Sequence, residues 1–239
     1  MFDCKYINAM SELGLLIPTN LEGRTMETYL LSNDDTHVFK RFKTPPNSKL
    51  INHIKKFAEL ASQFPNILFP ITLVFLGTNL IGYYARKARG VSVLHLPRTI
   101  TFTKLLKPLP IIKNEIVLLS KQDVKACDIV GKDLFWDGTN NSYQLVDPND
   151  FEFYGTVSED ECLYDFYKAF WDYIFGLDLS KELSEAQRDI FHNYWQVCFH
   201  HSIENEGVVG PLWDLISQLE NEHETRIETL AELDAVLKL

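Results

Sequence analysis

The sequence KACDIVGKDLFWDGTNNSYQLVDPNDFEF, residues 125–153, predicts a short β-hairpin. Residues 134–136 (Leu-Phe-Trp) and 143–146 (Tyr-Gln-Leu-Val) have the aromatic and β-branched content that strands favour. The residues between them, Asp-Gly-Thr-Asn-Asn-Ser, are typical of a turn, because glycine and asparagine tolerate a positive φ. Since a hairpin brings its two ends together, residues that flank the two strands are expected to be neighbours.

Three aspartates flank this hairpin. Asp133 precedes the first strand, Asp147 follows the second, and Asp128 lies on the loop just before them. Three carboxylates in one cleft repel each other unless a cation neutralises them. Oxygen ligands alone suit Mg²⁺, which takes one or two carboxylates and completes its shell with water and phosphates. The stretch therefore predicts a magnesium site; the alternative is a polar surface hairpin with its normal share of aspartate.

Composition limits the class of protein and of partner. The chain has 239 residues, which is enough for one two-lobed domain or two small ones. A formal net charge of −10 argues against nucleic acid or an anionic membrane as the main partner. The sequence shows neither a signal peptide nor a membrane-spanning helix. The four cysteines are far apart and form no C-x-x-C pair, so reduced thiols and a cytoplasmic location are expected.

Residues 1–90 predict a β-rich unit with one helix. Two prolines at 45 and 46 end the first set of strands, because proline fixes φ and donates no backbone hydrogen bond. Ser48 is the expected N-cap of a helix over 49–63, where apolar residues recur at helical spacing. The five strand candidates are 15–17, 26–31, 37–42, 72–76 and 80–85.

Residues 91–239 predict a helical unit that contains the hairpin, placed at 126–151. One helix is expected over 111–121. Another follows the capping box that begins at Ser158. After the break at 207–211, a single amphipathic helix is expected to continue to Leu237.

The order of these features resembles that of protein-kinase-like enzymes. Three strands, a helix and two strands is the order of the kinase N-lobe. The catalytic and metal-binding segments of the family follow the same order: a first Asp, a metal-ligand side chain five residues later, a hairpin and then a second Asp. The resemblance implies a two-lobed α+β fold with a small β-rich N-lobe (1–90) and a reduced helical C-lobe (91–239). It also implies ATP and Mg²⁺ as cofactors, bound in the cleft between the lobes.

The resemblance assigns a role to each acidic residue around the hairpin. Asp128 takes the position of the residue that accepts or orients the proton of the acceptor hydroxyl. Asp133 takes the position usually held by Asn, and Asp147 takes the main metal position, so both are expected to hold Mg²⁺. Two flanks differ from the family, because residues 126–127 are Ala-Cys in place of His-Arg and residues 148–149 are Pro-Asn in place of Phe-Gly.

In residues 1–90 the resemblance points to three further residues that bind the nucleotide. Lys40, in a Val-Phe-Lys strand, takes the position of the lysine that contacts the α- and β-phosphates, and Glu59 on the following helix is expected to form its ion pair. Gly23 lies where the family has a phosphate-cradling glycine loop, and it is the only glycine between the first two predicted strands.

Three functions are compatible with this pattern. The first is an ATP- and Mg-dependent phosphotransferase whose acceptor, a protein or a small molecule with a hydroxyl group, is unknown. The second is a pseudokinase that binds a nucleotide or a protein without transfer. The third is a structural α+β protein in which the pattern is accidental. Only ten residues separate Asp147 from Ser158, which leaves no room for a long activation segment to support a peptide substrate.

Overall fold

A computed structural model describes residues 2–22, 25–176, 184–204 and 207–237, and the fold is mixed α+β. The strands are β1 (Asp3–Ile7), β2 (Leu16–Glu22), β3 (Met26–Leu31), β4 (Asp34–Phe42), β5 (Pro70–Leu76), β6 (Asn79–Arg86), β7 (Val91–Ser92), β8 (Val124–Lys125), β9 (Leu134–Asp137), β10 (Ser142–Leu145) and β11 (Glu152–Phe153). The helices of the described residues are α1 (Ser48–Leu60), α2 (Phe102–Leu106), α3 (Leu109–Ser120), α4 (Glu159–Ile174), α5 (Glu185–Glu204), α6 (Val209–His223) and α7 (Leu230–Leu237). No helix within these ranges is both long and apolar enough to cross a membrane.

The contacts of the chain divide it into two units. The first comprises Met1–Arg89 together with Leu145–Asn149, and the second comprises Gly90–Gln144 and Asp150–Leu239. Leu145, the last residue of β10, and the four residues after it therefore belong to the first unit, whereas the division at residue 90 had placed them in the second. The physical reason is backbone pairing: the N–H of Leu145 donates to the carbonyl of Asn66 at 2.8 Å, and the N–H of Leu68 donates to the carbonyl of Leu145 at 2.9 Å.

The first unit is built on a six-stranded sheet in the order β1-β5-β6-β4-β3-β2. β1 runs parallel to β5, whereas the other neighbours are antiparallel. The predicted sheet had five strands and lacked β1. This edge strand buries only its last residue, Ile7, so its sequence lacks the alternation that identifies a half-buried strand.

Helix α1 of the first unit packs along β5 and buries its apolar stripe, with Ile54 and Phe57 fully buried. Its N-cap is Asn47, whose side chain accepts a hydrogen bond from the backbone N–H of Leu50 at 2.9 Å. The prediction that Ser48 caps this helix was therefore wrong by one residue. Both residue types can cap a helix, so propensity alone does not choose between neighbours.

The second unit carries the predicted hairpin and the helices. Strands β9 and β10 confirm the hairpin, and β7 pairs with the other side of β9. Ser158 and Glu161 form the predicted capping box at the start of α4. The single helix expected before Leu237 is divided instead into α6 and α7, because Glu224 adopts a left-handed φ of 48° that ends α6.

Candidate functional site

Lys40 lies on β4, a strand in the interior of the sheet between β3 and β6. Its register partners are Thr28 on β3 and Tyr83 on β6. Because side chains alternate along a strand, Val38, Lys40 and Phe42 share one face of the sheet. Val38 and Phe42 are buried, and the Lys40 side chain is only 12% exposed. A cation so far withdrawn from water needs a charged or polar partner.

The partner of Lys40 is Asp147. The Lys40 ammonium donates to Oδ1 of Asp147 at 2.8 Å, across 107 positions of sequence, within the first unit. The Asp147 side chain is 36% exposed, so the carboxylate keeps access to solvent while the ammonium is mostly covered. Lys40 and Asp147, two predicted site residues of opposite charge, are thus in direct contact within the first unit.

The ion pair predicted between Lys40 and Glu59 is not formed in the part of the chain that the structure describes. Glu59 lies on the solvent-exposed side of α1. The buried stripe of this helix passes through Ile54, Phe57 and Ala58, and Glu59 projects away from it. Lys40 instead uses the carboxylate that the resemblance had assigned to metal binding.

Asn149 links the ion pair to the buried face of the sheet. Its side-chain amide donates to Oδ1 of Asp147 and to the sulfur of Met26, the latter at 3.4 Å. Its side-chain oxygen accepts a hydrogen bond from the Tyr83 hydroxyl at 2.8 Å, and Tyr83 is fully buried. In the sequence, Asn149 stood out only as a departure from the kinase pattern, and no role was predicted for Tyr83. The Asp-Pro-Asn spacing was the available signal, because it places two polar side chains on one tight turn.

The backbone at Asp147 adopts a φ of 59°, in the left-handed region. Aspartate visits this region more readily than most residues, and the cost is on the order of 1 kcal/mol or more. A short 3-10 turn, Pro148–Asp150, follows directly and buries Pro148. This turn brings Asn149 back onto the Asp147 carboxylate, so the direction of the carboxylate is fixed from both sides.

Asp128 lies in the second unit, on the loop between β8 and β9, where its side chain is exposed, and its φ of 56° is also left-handed. Its backbone N–H donates to the Asp165 carboxylate on α4 at 2.9 Å. This contact fixes the loop backbone to a helix while the Asp128 carboxyl group remains in solvent. Asp165 was not predicted, since a helical aspartate 37 residues away gives no local sign of such a contact.

Asp133 ends a 3-10 turn, Gly131–Asp133, and its backbone N–H donates to the carbonyl of Val130 at 2.9 Å. It is half-buried and directly precedes β9. The aspartate that makes the hairpin turn is Asp137, which is only 3% exposed and whose Oδ1 accepts from the N–H groups of Thr139 and Asn140. Asp137 is therefore a structural residue, whereas Asp133 retains solvent access.

Over residues 2–22, 25–176, 184–204 and 207–237, no group of three or more His, Cys, Asp or Glu side chains is arranged to hold a metal ion. This finding does not support the predicted three-carboxylate group of Asp128, Asp133 and Asp147. A magnesium ion that also binds phosphate needs only one or two protein carboxylates. Gly23, the predicted phosphate-loop residue, lies outside the described residues.

A comparison with models of known protein families found no match, and a search of curated proteins found no similar sequence.

Proposed function

We propose that this protein is an ATP- and Mg²⁺-dependent phosphotransferase of kinase-like fold with an unknown hydroxyl acceptor. The observation that carries the proposal is the ion pair between Lys40 and Asp147 at 2.8 Å. Mg·ATP supplies the opposite partner for each charge: a phosphate oxygen can replace the carboxylate at Lys40, and Mg²⁺ can replace the ammonium at Asp147. Both charges thus remain compensated when the ligand binds.

The remaining geometry of the first unit fits this exchange. The strand that bears Lys40 lies inside a sheet, so the base of the side chain is held rigidly on both sides. The Asp147 carboxylate is held in place by a hydrogen bond from the Asn149 amide, and Asn149 is held in turn by a hydrogen bond from the Tyr83 hydroxyl. Preorganised charges of this kind are what phosphoryl transfer requires, because its catalysis depends on positioning and on electrostatic stabilisation.

Two residues of the second unit have further proposed roles. Asp133 is proposed as a further Mg²⁺ ligand, since it is half-buried with solvent access and stands where the family has a metal ligand. Asp128 is proposed to accept the proton of the acceptor hydroxyl. Its exposed carboxyl group suits that role, and the contact of its N–H with Asp165 fixes the loop that carries it.

A second candidate is nucleotide binding without transfer, and a specific observation favours it. Kinase-like enzymes have an arginine before the catalytic aspartate, whereas this chain has Cys127. Burial raises the pKa of Cys127 to about 11, so the thiol is neutral at pH 7 and supplies no charge beside Asp128. The single Gly23 in place of a glycine loop points the same way.

Calorimetric titration with ATP·Mg²⁺ tests the binding part of the proposal. Lys40→Met is expected to weaken nucleotide affinity about tenfold or more, because it removes a charge-assisted contact with phosphate. Lys49→Met is the matched control, since Lys49 is an exposed lysine on α1, and it should bind as wild type does. Stability should not change in Lys49→Met, whereas Lys40→Met should cost about 1–2 kcal/mol, because the Lys40 side chain is only 12% exposed and Asp147 loses its partner. Equal affinities for the two variants would exclude the proposed role of Lys40.

Release or transfer of the γ-phosphate separates the two candidates. Asp128→Ala should bind ATP·Mg²⁺ as wild type does and lose about 10²- to 10⁴-fold in rate, the range for a general base. The protein is a pseudokinase if the wild type binds nucleotide tightly but transfers no phosphate to any of a broad panel of hydroxyl acceptors. Wild-type protein that binds no nucleotide is neither.

A further inference from the structure

The second unit contains a cavity of about 430 Å³, which is within the range of small-molecule sites. One wall is the segment Val130, Gly131 and Lys132, from the loop that carries Asp128 and Asp133. The other lining residues come from α4 and α5, together with Leu94. The cavity therefore adjoins the loop to which the proposed function assigns the proton acceptor.

The charge of the lining is positive in a chain whose net charge is −10. Lys132, Lys168 and His192 line the cavity with a single carboxylate, that of Asp172. Both oxygens of Asp172 are occupied: Oδ2 accepts from the Lys168 ammonium at 3.1 Å, and Oδ1 accepts from the Trp195 indole N–H at 3.0 Å. No described residue forms an ion pair or a hydrogen bond with the Lys132 ammonium, so this cation is available to a ligand.

The remaining lining is apolar and partly rigid. Leu94 and Val130 are 41% and 36% exposed, so part of each apolar side chain is accessible to a ligand. Trp195 is held in a stack, with its ring 5.0 Å from that of Phe199 and 6.1 Å from that of His192. An apolar or aromatic group of a ligand would cover Leu94, Val130 and the edge of Trp195, and this burial is favourable.

We propose that this cavity binds a small hydroxylated organic anion with an apolar or aromatic body, and that this anion is the phosphate acceptor. The acceptor assignment rests on the proposed function, whereas binding of the anion does not. In the transfer step, the acceptor oxygen forms a bond to the γ-phosphorus as the bond from that phosphorus to the β–γ bridging oxygen breaks. ADP leaves, and the hydroxyl proton passes to the Asp128 carboxylate and then to solvent.

The test uses three compounds that share a phenol ring and differ in the charge of the side chain: para-hydroxyphenylacetate (anion), tyrosol (neutral) and tyramine (cation). Each is titrated calorimetrically into the 239-residue protein without nucleotide. The anion should bind best. Lys132→Met should weaken its binding about tenfold, the effect of losing one charge-assisted contact. Lys121→Met is the matched control, since Lys121 is an exposed lysine at the end of α3, outside the cavity.

Equal or tighter binding of tyramine, or an equal loss in both lysine variants, overturns the proposal. So does the absence of measurable binding of the anion at millimolar concentration. Because the titration contains no ATP, its result is independent of whether the protein binds nucleotide. Addition of ATP·Mg²⁺ then tests the acceptor role. The role is supported if the protein phosphorylates the anion and Lys132→Met slows this phosphorylation. It is refuted if the protein phosphorylates tyramine in preference to the anion.

Discussion

Removal of the Tyr83 hydroxyl tests the hydrogen-bond network behind the Lys40–Asp147 pair. Tyr83→Phe keeps the ring, which is fully buried and packs against Phe42. It removes the hydrogen bond that the hydroxyl donates to Asn149 at 2.8 Å. The change therefore creates no sizeable cavity, and its effect measures the polar contact.

The expected cost follows from burial. A buried acceptor left without its donor costs about 1–3 kcal/mol, and water can compensate part of this where the group is half-exposed. Since Tyr83 is fully buried and Asn149 is half-buried, the expected loss is about 1 kcal/mol. Tyr84→Phe is the matched control, because the Tyr84 hydroxyl has a longer and part-buried contact, 3.4 Å from the Lys5 ammonium.

Amide hydrogen exchange of peptides from β4 and β6 is the suitable assay. All four tryptophans lie in the second unit, so their fluorescence does not report directly on this sheet. A loss of about 1 kcal/mol corresponds to exchange that is about fivefold faster. In a double-mutant cycle, Tyr83→Phe and Asn149→Ala should couple by about 1 kcal/mol. A coupling energy near zero, or equal acceleration in Tyr84→Phe, would show that the network is energetically unimportant.

Two further predictions concern close packing and thiol chemistry. A Cβ atom at Gly82 would stand 2.2 Å from the carbonyl oxygen of Lys40, so Gly82→Ala should separate β6 from β4. The free energy of unfolding, measured by urea titration followed by circular dichroism, should fall by about 2 kcal/mol or more. Gly155→Ala is the control, because a Cβ there meets nothing within 4 Å, and equal urea midpoints for the two variants would contradict the prediction. Burial raises the pKa of Cys127 to about 11 and that of Cys198 to about 12, so their thiolate fractions stay small at pH 8 and rise only at higher pH. A thiol reagent at pH 8 should therefore label exposed Cys4 first, and Cys4→Ser should remove that fast phase. A fast phase that survives this change would show that one of the half-buried or buried thiols is reactive.

The local features of the fold were predictable from the sequence. The hairpin of β9 and β10 was found because strand propensity and turn chemistry act over a few residues. Asp137 shows this directly, since its carboxylate accepts hydrogen bonds from residues two and three positions later. The capping box at Ser158 is local in the same sense. Such signals are readable because every group involved lies within one short segment.

Features that depend on tertiary contacts were not predictable in the same way. The sequence offered Glu59 as the partner of Lys40, whereas the structure pairs Lys40 with Asp147. Which carboxylate reaches the ammonium depends on how the turn after the hairpin packs onto the sheet, and no pattern in the strand itself encodes it. The edge strand β1 was missed for a related reason, because its pairing with β5 joins segments far apart in sequence.

The most direct test of the proposed nucleotide site is the Mg²⁺ dependence of thermal stabilisation by ATP. At an ATP·Mg²⁺ concentration of about 100 Kd, wild-type protein should gain about 2.7 kcal/mol, or roughly 5–10 °C in Tm. In Asp147→Asn, Lys40 remains, so ATP alone should still stabilise the protein, but adding Mg²⁺ should give no further increase. Asp35→Asn, which removes an exposed charge from the same strand as Lys40, should respond as wild type does. The proposed site would be contradicted if Mg²⁺ raised the Tm of Asp147→Asn as much as that of the wild type. It would also be contradicted if nucleotide did not change the Tm of the wild type.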